Sequence, residues 1–495
     1  MGNEIINPLD FGAFGDGQTD DTKAFEEIEN KVQSTIVNLL GKEFVVTKEF
    51  SRNLYFNGIF KINGKVKDAT HALILSGNTN VFGGKEAGLA NEFYPDDGAR
   101  SGGYRNVGIG ESALEKNTRG WRNVATGHAA LKNNEEGYNN VALGDAALEF
   151  NVGEVEANPT ASDAGSRNTA VGAYSLRYNK KGTGNTAVGR NSAHANESGN
   201  YNTAVGTNAY SGSVQQGGQQ DRKQASHNTA IGYNAAFNTN ADSNTAMGSA
   251  ALYNNVDGVF NVALGPNASY TSKVNNRIVS VGSSTLRALT GEGNHDNVAV
   301  GTEALCFLEN GHSNTALGDK ALAFNVSGNE LMSVSHSIGI GKQSRASGNN
   351  QLQLGTSGIT TYAYGSVQNR SDERDKDEIR DTQLGLEFIN QLRPRDFKWN
   401  YRENYTGESE DKVELGAKKG KRFHHGLIAQ EVKEVMENIG VDFGGYQDHK
   451  INGGDDVLSL GYTELIAPLI KAVQELSEEV ESLKKDKKAL EKGMN

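Results

Sequence analysis

Residues suited to chemistry are few in this chain, and they are scattered. Asp16, Asp20 and Asp21 stand together in GDGQTDD, and a carboxylate cluster of that kind can hold a cation or move protons. The same letters also spell a local fold. Gly15-Asp16-Gly17 turns the chain, Asp20 or Asp21 can cap a helix, and Phe25 with Ile28 gives that helix an apolar side. The structural role is the expected one. Cys306 is the only cysteine, so it forms no internal disulfide and reads as a small buried apolar residue. GIGKQS at 339–344 lacks the glycine spacing and the placed Ser or Thr of a phosphate loop, and no CxxC, HExxH or nucleophile-elbow pattern occurs. Tyr174, Tyr210, Tyr233 and Phe237 could stack on sugars or pack against neighbouring segments of the chain. Chemistry on an external substrate therefore has no visible site, and neither a metal nor a cofactor is expected.

The elements that would position such residues are unusual. Only 36% of the 495 residues are hydrophobic while 60 are glycine, so one large globular core is not expected. The six prolines are too few for collagen or proline-rich disorder, which leaves a tightly turned repeat. A net charge of −12 without a basic stripe argues against nucleic-acid binding. No stretch approaches the roughly 18 apolar residues of a membrane span, and MGNEIINPLDFG does not read as a signal peptide. Membrane insertion is not expected, and a surface role would come through lysis or particle assembly.

From about 106 to 355 one phrase recurs: an Asn, a short β-prone run, a Gly, then small residues. It reads NTAVG at 168–172, 185–189 and 202–206, NVALG at 140–144 and 261–265, and NTALG at 314–318. Successive closing glycines, such as Gly110, Gly127 and Gly144, are most often 17 residues apart, whereas the gaps before Gly172 and Gly232 are 28 and 26. A fixed coil with two inserted loops, near 152–166 and 211–227, accounts for both. Within NTAVG the Thr and Val face one way and the Ala the other, and the Gly permits the turn. A second segment, SAL or AAL, supplies the next side, and Asn/Gly clusters close the coil. One coil buries almost nothing, but stacked coils share a Val/Ala/Leu stripe and pair their backbone edges.

These phrases resemble the head repeats of trimeric autotransporter adhesins, where related phrases build a β-roll, and matching repeats of phage fibres. The opening PLDFGAFGDGQTDDTKAFEEI at 8–28 resembles the first motif of pectate-lyase-like tailspikes. The strand-like stretches EFVVTKEF, FNGIFKI and HALILSG that follow are too few for a long catalytic β-helix, so 1–98 is expected to be a small β attachment or collar domain and 99–358 a repeat shaft.

After a linker at 359–371 the composition shifts to charged residues and helix formers. Leu386, Ile389 and Leu392 make a helical face that stops near Pro394, and Ile428, Val432, Val435, Met436 and Ile439 make a second, ended by Gly440. Leu469, Leu476, Leu483 and Leu490 alternate with Val473, Val480 and Lys487 at heptad spacing, which predicts a coiled coil over 463–492. SDERDKDEI, GLEFINQLRPRDFKW, HHGLIAQEV and LSLGYTELIAPLIKAVQELSEEV, in that order, resemble the endosialidase-type intramolecular chaperone of phage tailspikes and fibres. The resemblance implies a module over 372–495 that aligns three chains and then releases itself by cutting at Ser371-Asp372, with Ser371 and Lys376 as the catalytic pair. Lysine acts as a base only after burial or a cationic neighbour removes its proton, so folding must complete the pair. Attack of Ser371 on its own carbonyl would close a strained four-membered ring, which leaves attack across a subunit boundary or an activated water. Asp375 would favour the charged ammonium of Lys376, and His424 or His425 could assist the pair or serve structure.

The expected architecture is mainly β: a trimeric β-solenoid or β-roll shaft, a small N-terminal β domain, and a C-terminal α+β chaperone ending in a coiled coil. The expected role is a homotrimeric, receptor-binding fibre or spike in the tail of a phage or phage-like particle. Its partners would be other tail or baseplate proteins and a host-surface glycan or protein. A glycan-depolymerising tailspike and a bacterial surface adhesin are the alternatives. The first lacks a clustered carboxylate pair on a long β-helix; the second lacks a signal peptide and a membrane barrel.

Overall fold

The computed structural model describes residues 5–6, 8–31, 36–46, 54–62, 65–66, 74–76, 80–91, 102–153, 163–212, 224–402, 405 and 414–493. It divides into two compact units, Met1–Thr302 and Glu303–Asn495. The centres of both inserted loops, 154–162 and 213–223, lie outside the described residues.

The first unit begins with a five-stranded sheet in which Ile36–Val46 pairs in parallel with Ile5–Ile6, Asp16–Asp20 and Leu54–Ile62. Helix α1, Thr22–Lys31, buries Phe25 and Ile28 completely, as its apolar spacing predicts. The three aspartates are committed to backbone. Asp16 accepts from the amides of Gln18 and Thr19, Asp20 from that of Thr22, and Asp21 from that of Phe14 at 2.6 Å. Those hydrogen bonds, the Thr19 hydroxyl's first, pull the Asp16 carboxyl down to about 2.

From Asn80–Gly83 to Val298–Val300 each short strand of the first unit pairs in parallel with the next. The register is residue on residue: Thr186 faces Thr203, Ala187 faces Ala204, and Val188 faces Val205. This is a parallel β-solenoid. Its burial corrects one sequence expectation, because the Val of each phrase is not part of the buried stripe. The middle Ala is fully buried, whereas Val188 remains 37% exposed. Strand side chains alternate, so a coil this narrow has room inside for Ala and outside for Thr and Val.

The second side of the coil is built differently from the first. The SAL and AAL segments are not strands but turns, in which alternate non-glycine residues take positive φ, among them Ala129 at 54° and Leu131 at 51°. Left-handed leucine costs roughly 1–2 kcal/mol per residue. Burial of each Leu and hydrogen bonds between coils offset it, as where Leu131 N donates to the Ala147 carbonyl at 3.0 Å. The closing glycines have the opposite need. Gly189 sits at φ +125°, and a Cβ there would lie 2.7 Å from the carbonyl of Gly206 in the next coil.

The repeat letter that carries most polar structure is the Asn. Asn185 N donates to Asn168 Oδ1 at 3.0 Å, Asn202 N donates to Asn185 Oδ1 at 2.9 Å, and Asn185 Nδ2 donates to the Gly199 carbonyl at 2.8 Å. A second buried ladder runs through side chains alone, from Asn196 Nδ2 to Asn179 Oδ1 and from Asn179 Nδ2 to Asn151 Oδ1. Buried amides must be satisfied, and identical residues stacked in register satisfy one another.

In the second unit the strands Thr315–Leu317, Ile338–Ile340 and Leu352–Leu354 pair in parallel in the same way. Residues 359–371 follow without regular structure and are exposed. A small α+β module comes next: α2 (Leu386–Gln391), the hairpin Arg395–Phe397 with His424–Gly426, α3 (Ala429–Ile439), the hairpin Tyr446–Asp448 with Leu458–Leu460, and α4 (Ile466–Gly493). Its core joins Phe388, Val432, Val435 and Phe443, with Ile389, Leu392 and Met436 at its margin. Gly440 ends α3 in the left-handed conformation, as predicted. No helix among the described residues is long and apolar enough to cross a membrane.

Candidate functional site

The segment around Ser371 is folded back by one tight turn. Glu373–Asp375 form a single 3-10 turn capped by Asp372, whose carboxylate accepts from Arg374 N at 2.9 Å. The turn brings residues five apart side by side, and Lys376 Nζ donates to Ser371 Oγ at 2.8 Å. The pair therefore meets within one chain without help from distant elements.

Four charges surround it. Arg374 grips Asp372 through Nε at 3.0 Å and Nη2 at 2.6 Å, and this contact holds the Asp372 carboxyl below the usual range. Arg370 Nε lies 3.0 Å from Asp375. The carboxylate expected to stabilise the lysine's charge is thus engaged by a guanidinium. Ser371 and Lys376 are both exposed in the single chain. This arrangement puts a hydroxyl and an amine in contact but lacks the desolvation by which a lysine becomes a base. Covering the site with another surface would supply it.

His425 is placed elsewhere: its Nδ1 lies 2.6 Å from Asp396 Oδ1 across the hairpin, and His424 packs beside Phe397 and Trp399. No contact between either histidine and Ser371 or Lys376 occurs among the described residues. Several motif residues hold the module together instead. Glu431 of HHGLIAQEV binds Arg395 of RPRDF through two oxygens, at 3.0 and 2.5 Å. Gly426 allows Tyr462 to reach the backbone, where its hydroxyl accepts from Leu427 N at 2.8 Å. Glu475 of α4 accepts from Leu386 N at 2.6 Å and so caps α2. Sequence reasoning missed the Arg395–Glu431 ion pair and the Leu386 amide's bond to Glu475, because polar contacts between residues far apart in sequence carry no periodic signal.

The aromatic candidates separate by environment. Tyr210 is fully buried, donates to the Ala225 carbonyl at 3.1 Å, and has its hydroxyl pKa pushed up by burial. Phe237 stacks on Tyr253, which stacks on Tyr270, so neighbouring coils cover those ring faces. Tyr174 lies edge-on to His194 and under Arg177. Tyr233, 57% exposed, is the one of the four left open.

Residues 371–441 match the family model described as chaperone of endosialidase. The match begins at Ser371 and takes in the Ser371–Lys376 pair, α2, the first hairpin and α3; α4 lies beyond it. No curated protein and no solved structure matches the chain.

Proposed function

We propose that this chain is the shaft of a homotrimeric fibre or spike, carried in the tail of a phage or phage-like particle, whose C-terminal module aligns three copies and then cuts itself free at Ser371-Asp372. A chaperone-of-endosialidase match behind a β-solenoid fits a trimeric fibre with an intramolecular chaperone. The observation that carries the reading is the uncovered seam of α4. Leu469, Val473, Leu476, Val480, Leu483 and Leu490 are between 39% and 69% exposed, at heptad spacing, in the single chain. An apolar stripe of that regularity is stable in water only against partner helices, and identical copies present identical seams.

Association also supplies what the Ser371–Lys376 pair lacks, since a neighbouring chain laid over the exposed lysine would desolvate it. The net reaction is hydrolysis. Water adds across the Ser371-Asp372 bond, the carbonyl carbon keeps the oxygen as the Ser371 carboxylate, and the nitrogen leaves as the new amino terminus of Asp372. Lys376 accepts a proton from the attacking hydroxyl and returns it to the leaving nitrogen. Receptor contact would fall to residues projecting from the coils, with a host-surface glycan or protein as the ligand and other tail or baseplate proteins at the point of attachment.

Denaturing mass measurement with amino-terminal sequencing tests the cut. The expected result is two fragments, the smaller starting at Asp372, and a single full-length chain for Ser371→Ala and for Lys376→Met. A full-length natural chain, or a fragment starting at Asp372 from Ser371→Ala, would overturn it.

A further inference from the structure

The second unit contains an interface that neither the self-cutting reading nor the trimer requires. The loop at 448–457 leaves the hairpin Tyr446–Asp448 with Leu458–Leu460 and lies on the last coil of the solenoid. Asp455 N donates to the Ser347 carbonyl at 2.6 Å, and Asn325 Nδ2 donates to Asp455 Oδ1 at 3.2 Å. His449 Nδ1 lies 2.5 Å from Ser347 Oγ and 3.3 Å from Gln351 Nε2, while its Nε2 meets Ser459 Oγ at 2.9 Å and ties the loop to its own hairpin. Two glycines make the approach possible. A Cβ on Gly454 would lie 2.4 Å from the Ser347 carbonyl oxygen, and one on Gly348 would lie 2.9 Å from the Gly454 Cα.

We propose that the loop at 448–457 is the end cap of the solenoid, and that it holds the module on the last coil after the peptide bond at Ser371-Asp372 is broken. A stack of coils has an open end, with unpaired backbone and a core of small residues facing water, and solenoids need a polar cap there. Ala346 and Ser347 of the last coil are buried, and the loop supplies that polar cover. The linker at 359–371 is exposed along its length, so it contributes only a tether. Cutting the tether removes an effective concentration on the order of millimolar but leaves every contact of the cap in place. In a trimer three caps sit on three coil ends, and all must open together before the module leaves. Release is therefore a second step, separate from the cut.

The timing in this proposal rests on the self-cutting reading, but the capping does not, and the two can be tested apart. The full chain carrying Ser371→Ala and a site-specific protease sequence inserted after Ser366 is cut by that protease and passed over a sizing column. The expected result is that the module co-elutes with the solenoid. Asn325→Ala on one side of the contact, or Asp455→Ala on the other, is expected to release most of the module, with circular dichroism before cutting unchanged in at least one of them. Separation of the module without either substitution, or full retention with both together, would overturn the cap. Failure of the natural chain to generate Asp372 as a new terminus bears on the self-cutting reading alone.

Discussion

At the scale of single residues, the asparagines of the repeat carry more of the fold than its valines. The Val of NTAVG looks outward, whereas the Asn is buried and bridges three coils through its amide and carbonyl groups. Asn185→Ala leaves the Asn202 amide without a partner, worth roughly 1–3 kcal/mol when buried, while the Gly199 carbonyl keeps its second donor, Asn196 Nδ2 at 3.0 Å. We expect a loss of about 1–3 kcal/mol in denaturant unfolding. Asn185→Asp should fare no better, because a carboxylate accepts but does not donate. A melting curve unchanged by either substitution would refute the ladder. The Ser371–Lys376 pair differs in setting: its one hydrogen bond, at 2.8 Å, stands open to solvent.

At the scale of elements, the legible features were those with a period. The 17-residue interval marked the coil, the closing glycines marked its positive-φ corner, and the apolar spacing of Phe25 with Ile28 and of Val432 with Val435 marked buried helix faces. Illegible were the turns of the SAL and AAL side, since left-handed Ala and Leu contradict local preference and are fixed only by stacking. Phe388 was likewise missed beside Leu386, Ile389 and Leu392, yet it is the helix's most buried side chain, at 1% exposure. Stacking also creates an acid-sensitive element. His194 packs against Tyr178 at 5.1 Å, and burial, aided by Arg177 and Arg190, pushes its pKa down to about 4. The folded coil holds this ring neutral. Its contribution is intact above the ordinary histidine value near 6.5 and is lost as pH falls through 4, a penalty of up to about 2–3 kcal/mol. Denaturant midpoints at pH 7 and pH 4.5 should differ less in His194→Phe than in the natural chain; an equal difference would contradict the assignment.

At the scale of the whole molecule, the sequence is explained by what one chain leaves uncovered. Ile109, Leu143, Val188, Met247 and Val300 occupy the same place in their phrases of the first unit, each between 37% and 43% exposed. On the strands of the second unit Leu317, Ile340 and Leu354 are exposed in that same position, and α4 adds its own seam. An apolar row on most coils offers a surface to identical neighbours, and under the proposed trimer it would account for how a chain only 36% hydrophobic is stable. Leu143→Asp with Val188→Asp should weaken the association that α4 still supports and lower the denaturant midpoint of the solenoid with it. An unchanged midpoint would exclude this face from the interface. The most direct test is sedimentation velocity of the Ser371→Ala chain at high dilution. The account predicts one species of three times the 53.0 kDa chain mass, with no folded single chain beside it. A compact, heat-resistant species of 53.0 kDa would contradict it.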